Sequence, residues 1–214
     1  MRRQLLPALV VTIALTVLLG IVYPLVVTGI SAGLFHNRAD GSFVKQNGKV
    51  VGSSLIGQQF VNSDGSPNKN YFQPRPSASS YDALASGGTN LGPSNPKLIA
   101  PASGPNCYIV NGSCYQDTVP ARIDAYRQLN GLGSNVSVPI DAVTASGSGL
   151  DPNISVANAQ LQANRVAESR NMSPDSVMNL INDHTQNRQW GFLGEKTVNV
   201  LELNTALDRQ GSGT

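Results

Sequence analysis

The chain is short of the residues that carry chemistry. Its 214 residues hold two histidines and two cysteines, and only 13% are charged. No Cys/His cluster falls at zinc spacing, so no metal ligand set is expected. No G-x-x-x-x-G-K-[ST] loop is present: Gly48-Lys49 runs into Val50 and has no upstream glycine frame. H-E-x-x-H and G-x-S-x-G are missing too. Ser146-Gly-Ser-Gly149 has the wrong glycine spacing for a nucleophile elbow, and the Asp151-Pro152 after it reads as helix entry. His36 sits at the end of an apolar run and His184 at the end of an expected helix, where a cation suits the carbonyl end. No catalytic residue is nominated.

Charge of one sign is missing as well. Without Arg2 and Arg3, the 15 basic residues fall to 13, against 13 acidic ones. A neutral, sparsely charged domain offers no basic face to nucleic acid or to anionic lipid.

What is present begins at the amino terminus. Leu5 to Phe35 contains no Asp, Glu, Lys, Arg or His. About 20 apolar residues cross a bilayer core of about 30 Å, so this run is long enough to span. A cleavable signal is the competing reading, and small residues near Thr28–Gly33 would suit it. Its apolar segment, however, runs only about 7–15 residues. An uncleaved anchor is expected. Arg2, Arg3 and the terminal amine precede the span, while Arg38 is offset by Asp40. That bias places the amino terminus in the cytoplasm and the remainder outside.

Within the span, Ala8, Thr12, Thr16 and Gly20 recur every four residues, and Gly29 and Gly33 repeat the spacing. Small residues let membrane helices approach closely, so these are candidate docking positions, although such residues are frequent in any membrane helix. Pro24 is expected to kink the span.

Residues 1–35 thus read as a cytoplasmic terminus plus transmembrane helix, and 36–214 as one extracytoplasmic domain. Residues 42–51 read as a β-hairpin about Asn47-Gly48. Gly, Pro, Ser and Asn crowd residues 52–120, which predicts loops. Cys107 and Cys114 flank Asn111-Gly112, a hairpin turn signal, and read as a local disulfide staple rather than a metal or redox pair. Helices are expected at 120–129, after Ser155 and after Ser173-Pro174-Asp175, with a short one over 205–209. Strands are expected over 136–143 and 197–203. The fold class is α+β. Asn111, Asn135 and Asn153 begin N-x-S sequences, which matter only in a eukaryotic secretory pathway.

Several stretches together resemble one family. They are Tyr23-Pro24-Leu25, Gly52-Ser-Ser-Leu-Ile-Gly-Gln58, Tyr71-Phe-Gln-Pro-Arg-Pro-Ser-Ala78, Ala85-Ser-Gly-Gly-Thr-Asn-Leu91 and Ser94-Asn-Pro96. Val138-Pro139, Val143-Thr-Ala-Ser-Gly-Ser-Gly-Leu-Asp151, Ile154-Ser155, Arg165-Val-Ala167 and Val198-Asn-Val-Leu-Glu-Leu-Asn204 complete the set. In order and spacing they resemble the C subunit (KdpC) of the Kdp-type potassium-transporting P-type ATPase. Residues 99–119, which carry the cysteine hairpin, depart from that pattern as an insertion.

The resemblance implies an accessory subunit of an ATP-driven potassium uptake complex, not a pore or an enzyme by itself. It implies a single-pass protein of the bacterial cytoplasmic (inner) membrane. Its implied partners are a channel-like potassium-binding subunit, a P-type ATPase catalytic subunit and a small membrane subunit. It also implies a catalytic chaperone that raises the ATPase subunit's affinity for ATP, with ATP and K+ handled by the complex. Ser86, Gly87, Gly88, Thr89 and Asn90 resemble an ABC-transporter signature and are candidate nucleotide contacts through glycine amides. The proline-rich loop after them and the expected topology favour a structural turn instead. Competing classes are a membrane-anchored extracytoplasmic hydrolase and a ligand-binding or sensor module.

Overall fold

The computed structural model describes residues 2–101, 103–104, 109–110, 113–114 and 117–211. These divide into two compact units, Met1–Phe43 and Val44–Thr214.

The first unit is helical from Arg2 onward. Helix α1 (Arg2–Val17) runs into a π-helical segment, Leu18–Val22, and then α2 (Tyr23–Leu34). Residues Arg3–Leu34 have a mean hydropathy of 2.7, and none of that apolar surface is buried within the chain. Among the described residues this is the one helical run long and apolar enough to cross a membrane. The π-segment carries the disturbance expected at Pro24. Tyr23 N–H bonds Leu18 O, five residues back, which widens the helix where the proline ring would otherwise strike the preceding turn. A short helix α3 (His36–Ala39) follows, with His36 Nε2 3.3 Å from Asp40 Oδ2.

The second unit is built around a three-stranded antiparallel sheet and the helices on it. Strands β1 (Phe43–Gln46) and β2 (Lys49–Ser53) pair across Asn47 and Gly48, both at positive φ (50° and 78°), as a two-residue hairpin requires. Residues 54–95 contain no helix or strand, in keeping with their turn-rich composition. Helix α4 (Pro96–Ile99) is capped by Asn95. Strands β3 (Ile109–Val110) and β4 (Ser113–Cys114) pair antiparallel. The expected Cys107–Cys114 disulfide and the Asn111-Gly112 turn lie outside the described residues.

Helix α5 (Val119–Asn130) starts at a Thr118 cap and stops at Gly131, φ 63°. Strand β5 (Asn153–Ser155) leads into α6 (Val156–Ser169), where Ser155 accepts the Asn158 amide. Helix α7 (Pro174–Asp183) begins at Ser173 as expected, with Pro174 in the first turn. Strands β6 (Thr185–Gln186) and β7 (Thr197–Asn199) complete the sheet in the order β5-β7-β6. Helix α8 (Val200–Gly211) closes the chain.

Three expected elements are corrected. Residues 136–143 form no strand. Pro139 leads instead into a 3-10 turn over Ile140–Ala142, and Asp141 turns inward to accept Ser155 N (2.7 Å), Ser155 Oγ (2.9 Å) and Asn158 Nδ2 (3.0 Å). The strand expected over 197–203 is three residues long, because Asn199 Oδ1 accepts the Glu202 amide and starts α8 at once. The terminal helix therefore begins at Val200, not Thr205. Val200, Leu203 and Leu207 then fall on one helical face and are buried.

The core joins β5 and β7 to α6, α7 and α8. Ile154, Val166, Val177, Ile181, Val198, Leu203 and Leu207 are each at most 1% exposed, with Phe72 fully buried among them. At roughly 1.5–3 kcal/mol per large apolar side chain removed from water, this cluster is the main source of the fold's stability. The chain belongs to the α+β class that the sequence indicates.

Candidate functional site

Stretches far apart in sequence converge on one region of the second unit. Its frame is the irregular segment 71–81, held from below by two helices. Asn204 of α8 receives Phe72 N–H (2.9 Å) and donates to Phe72 O (3.0 Å). Gln162 of α6 receives Gln73 N–H (2.7 Å) and donates to Gln73 O (3.1 Å). The Gln73 side chain in turn donates to Phe60 O and Asn68 O, both at 2.9 Å. Side-chain amides thus replace the ladder that a neighbouring strand would supply.

Above this frame, Arg75 reaches the loop 144–151. Its Nη1 meets Asp151 Oδ2 at 3.0 Å, and Nη2 lies 3.4 and 3.5 Å from the carbonyls of Thr144 and Ala145. Ser77 Oγ donates to Gly149 O (2.6 Å) and accepts the amides of Ser79 and Tyr81. Tyr81 Oη donates to Arg75 O at 2.8 Å, and its burial beside Asp151 raises its pKa. Gly149 sits at φ +68°, and a Cβ there would stand 2.5 Å from Ser79 Oγ and 2.6 Å from Gly87 O. Gly57 is equally confined, a Cβ being 2.4 Å from the Tyr81 ring and 2.7 Å from Asp151 O. Only glycine lets these three loops touch.

The nominated stretch 86–90 belongs to the same clasp. Gly87 N donates to Ser148 O (2.8 Å), Ser86 Oγ donates to that carbonyl (3.1 Å), and Gly88 lies against Gly147. Thr89 Oγ1 accepts the Leu91 amide at 3.4 Å, and Asn90 has a positive φ of 54°. The Gly87 amide is therefore already engaged within the chain. The stretch runs through a loop and opens no helix.

Beneath the clasp, α6 carries a buried polar stripe at helical spacing. Asn158 Oδ1 receives Tyr126 Oη (2.8 Å) and Gln162 Nε2 (2.9 Å), and Gln162 Oε1 receives Arg165 Nη2 (2.9 Å). Arg165 also donates to Asn130 Oδ1 at 2.9 Å and to the carbonyls of Lys69 and Tyr71. Burial pushes its pKa down to about 10, so at neutral pH it stays cationic on neutral acceptors. Tyr126 is shifted upward by burial and by Asp141.

Between α5 and segment 71–81 lies a groove of about 550 Å³, walled by Val61, Pro67, Pro74, Tyr81, Tyr126 and Leu129. Arg75 and Arg122 lie at its edge, and Arg122 is itself occupied by Asp117 (2.6 and 2.8 Å) and Val143 O (3.0 Å). Among the described residues there is no group of three or more His, Cys, Asp or Glu able to hold a metal. His184 Nδ1 lies 2.9 Å from Leu180 O at the end of α7. The arrangement fixes a shape.

In the first unit, Ala8, Thr12, Thr16, Gly20, Gly29 and Gly33 are all exposed, and a Cβ on any of the three glycines would meet no atom within 4 Å. The candidate positions thus fall into two groups: 86–90 inside the clasp of the second unit, and a small-residue set exposed on the helix of the first.

Comparison with known proteins decides the family. The K+-transporting ATPase, c chain (KdpC) family profile matches residues 5–209. The chain belongs to this family. A potassium-transporting ATPase KdpC subunit of Mycobacterium bovis (strain BCG / Pasteur 1173P2) is 51% identical over 98% of this chain and 100% of its own length. A protein of the same name from Variovorax paradoxus is 48% identical over 94% of each chain. Another, from Paraburkholderia xenovorans, is 44% identical over 97% of each.

Residue-by-residue reasoning did not nominate Arg75, Asp151, Gly57, Gly149, Gln162 or Asn204. Their signal was available nonetheless. All but Gln162 lie in the stretches that resemble the C subunit, and Gln162 falls between Asn158 and Arg165 at helical spacing.

Proposed function

We propose that the chain is the accessory, non-pore subunit of an ATP-driven potassium uptake complex, held in the cytoplasmic membrane by residues 3–34 with its second unit outside. The family match over residues 5–209 carries this reading. The relatives' name, a subunit of a potassium-transporting ATPase, supports it. Its partners are a channel-like potassium-binding subunit, a P-type ATPase catalytic subunit and a small membrane subunit. Arg2 and Arg3 before the span support a cytoplasmic amino terminus.

Its work is to assemble and tune. A clasp of three loops, locked by glycine contacts and buried amides, suits a rigid surface presented to other subunits. On this reading the chain acts as a catalytic chaperone, raising the ATPase subunit's affinity for ATP through the assembly, and residues 86–90 shape that surface without touching nucleotide. The engaged amide of Gly87 supports this. Deleting the chain while keeping its partners is expected to abolish potassium-stimulated ATPase activity or co-purification of the remaining subunits. Unaltered pumping would overturn the proposal and favour an anchored hydrolase or ligand-binding module.

A further inference from the structure

Three buried polar side-chain atoms find no hydrogen-bond partner in the chain: Arg75 Nε, Ser146 Oγ and Asn153 Oδ1. Among the described residues there are no others, and all three lie where Arg75 meets the stretch 144–153. Ser146 is only 6% exposed, so bulk solvent does not serve its hydroxyl. A buried polar group left unmet is costly, and native folds leave few of them. Orphans scattered over a fold would need separate explanations. Three at one place need one.

Their surroundings tie them together. Arg75 Nη1 donates to Asp151 Oδ2 at 3.0 Å, and the Asn153 amide donates to the other oxygen of that carboxylate, also at 3.0 Å. Arg75 Nη2 lies 3.5 Å from Ala145 O, the carbonyl of the peptide that leads into Ser146. One carboxylate thus joins Arg75 to Asn153, and the same guanidinium lies against the peptide before Ser146.

We infer that the clasp encloses an internal water site, in which water bridges Arg75 Nε–H, the Ser146 hydroxyl and the Asn153 amide oxygen. The chemistry of the three atoms selects this ligand. A guanidinium nitrogen only donates, an amide oxygen only accepts, and a hydroxyl does both. An occupant that satisfies all three must itself donate and accept.

Charge narrows the choice. Arg75 and Asp151 already neutralise each other. A cation would stand against the guanidinium N–H, and an anion would stand beside the Asp151 carboxylate and the Asn153 oxygen. A small neutral molecule with both donors and acceptors meets neither penalty. A buried water typically makes about three hydrogen bonds, the number offered here.

The site completes the clasp. Direct bonds hold Ser77 to Gly149 O and Gly87 to Ser148 O, but none reaches the side chains of Ser146 and Asn153 from Arg75. The bridging water makes that connection. Its ligands come from positions 75, 146 and 153, so it leaves only when the loops part. The inference goes beyond the role proposed for the chain and does not depend on what the clasp faces.

The test uses the full chain in detergent and the chain assembled with its partner subunits. Urea unfolding followed by circular dichroism compares Ser146→Ala with wild type. Loss of a bridged hydroxyl is expected to raise the unfolding equilibrium constant about threefold to tenfold. A lowered constant overturns the inference, because replacing an unmet hydroxyl with a methyl removes a penalty. A density map of the assembled complex, fine enough to show ordered water, decides independently of how the variant folds. A peak within about 3.2 Å of Ser146 Oγ and of at least one of the other two atoms supports the site. A void there overturns it. A peak that strengthens when thallium replaces potassium in the buffer overturns it in favour of a cation.

Discussion

Asn204 and Phe72 exchange two hydrogen bonds across 132 residues of sequence: Phe72 N–H to Asn204 Oδ1 at 2.9 Å, and Asn204 Nδ2–H to Phe72 O at 3.0 Å. Both residues are at most 1% exposed. A carboxamide carries an acceptor and a donor side by side, so it serves the N–H and the carbonyl of a single residue at once. Through this pair the carboxy-terminal helix holds the segment that leads to Arg75 and the clasp.

Asn204→Ala is therefore expected to strand two buried backbone groups and destabilise the fold by about 2–4 kcal/mol. Asn204→Asp keeps the acceptor, loses the donor and buries a charge, so it is expected to be no milder. Urea unfolding of the full chain in detergent, followed by circular dichroism, measures both. A loss under 1 kcal/mol for Asn204→Ala would remove the clamp from the account.

The glycines separate packing from nucleotide contact. Gly149→Ala places a Cβ 2.5 Å from Ser79 Oγ at φ +68° and is expected to disrupt the clasp and weaken the complex. Gly87→Ala meets nothing within 4 Å and has no positive φ, so it is expected to change stability by less than about 0.5 kcal/mol. If the 86–90 amides cradle a phosphate, Gly87→Ala should instead raise the KM for ATP of the assembled complex severalfold. An unchanged KM supports the structural role.

Arg75→Lys tests whether the clasp needs a fork or only a charge. Arg75 spreads two nitrogens over Asp151 and the carbonyls of Thr144 and Ala145. An ammonium presents a single point and cannot span them. The substitution is expected to cost about 1–2 kcal/mol and to lower complex yield, read by urea midpoint and by co-purification. Wild-type stability would show that charge alone suffices.

How much of this was legible from residues depended on the range of the interactions. The caps at Ser155 and Ser173, the Asn47-Gly48 turn and the apolar span are local signals, and each is where the sequence placed it. Residues 197–203 misled because seven residues alternating Val, Val, Leu satisfy a strand and part of a helix alike. The decision fell to the Asn199 side chain. Residues 136–143 misled because Asp141 gains three hydrogen bonds by turning inward, a long-range reward that β-propensity does not register. The clasp was visible only as a set of family stretches. Its contacts join positions 57, 77, 87 and 149, and nothing local in any one of them predicts the others.

Alkaline stability follows from two tyrosines. Tyr81 and Tyr126 are raised above the usual value of about 10 by burial, with nearby Asp151 and Asp141 adding to it. A folded-state pKa above the unfolded one means that the folded chain holds more protons once pH exceeds 10. Their contribution is full below pH 10 and is lost as pH rises beyond it. Arg165, pushed down to about 10, acts with the opposite sign in the same window and partly offsets the loss. Of the six tyrosines, these two are expected to ionise only as the fold opens, seen as a late step in tyrosinate absorbance that coincides with loss of circular dichroism. Tyr126→Phe should flatten the pH dependence while costing about 1 kcal/mol at neutral pH from its lost bond to Asn158.

The span supplies the last test, because its small residues are exposed on the helix of the first unit. A tether needs only length and apolarity, and Gly20→Leu or Thr16→Leu preserves both. A docking helix needs close backbone approach, which a leucine at either position blocks. Gly20 also lies in the π-helical segment Leu18–Val22, where the helix is already widened ahead of Pro24. If the helix packs on the partners, each substitution is expected to leave the chain in the membrane and reduce co-purified subunits severalfold, with the G20L/T16L pair worse than either alone. Full assembly of the double variant would reduce the helix to a tether and shift the whole docking burden to the outer unit, where the clasp would have to carry it.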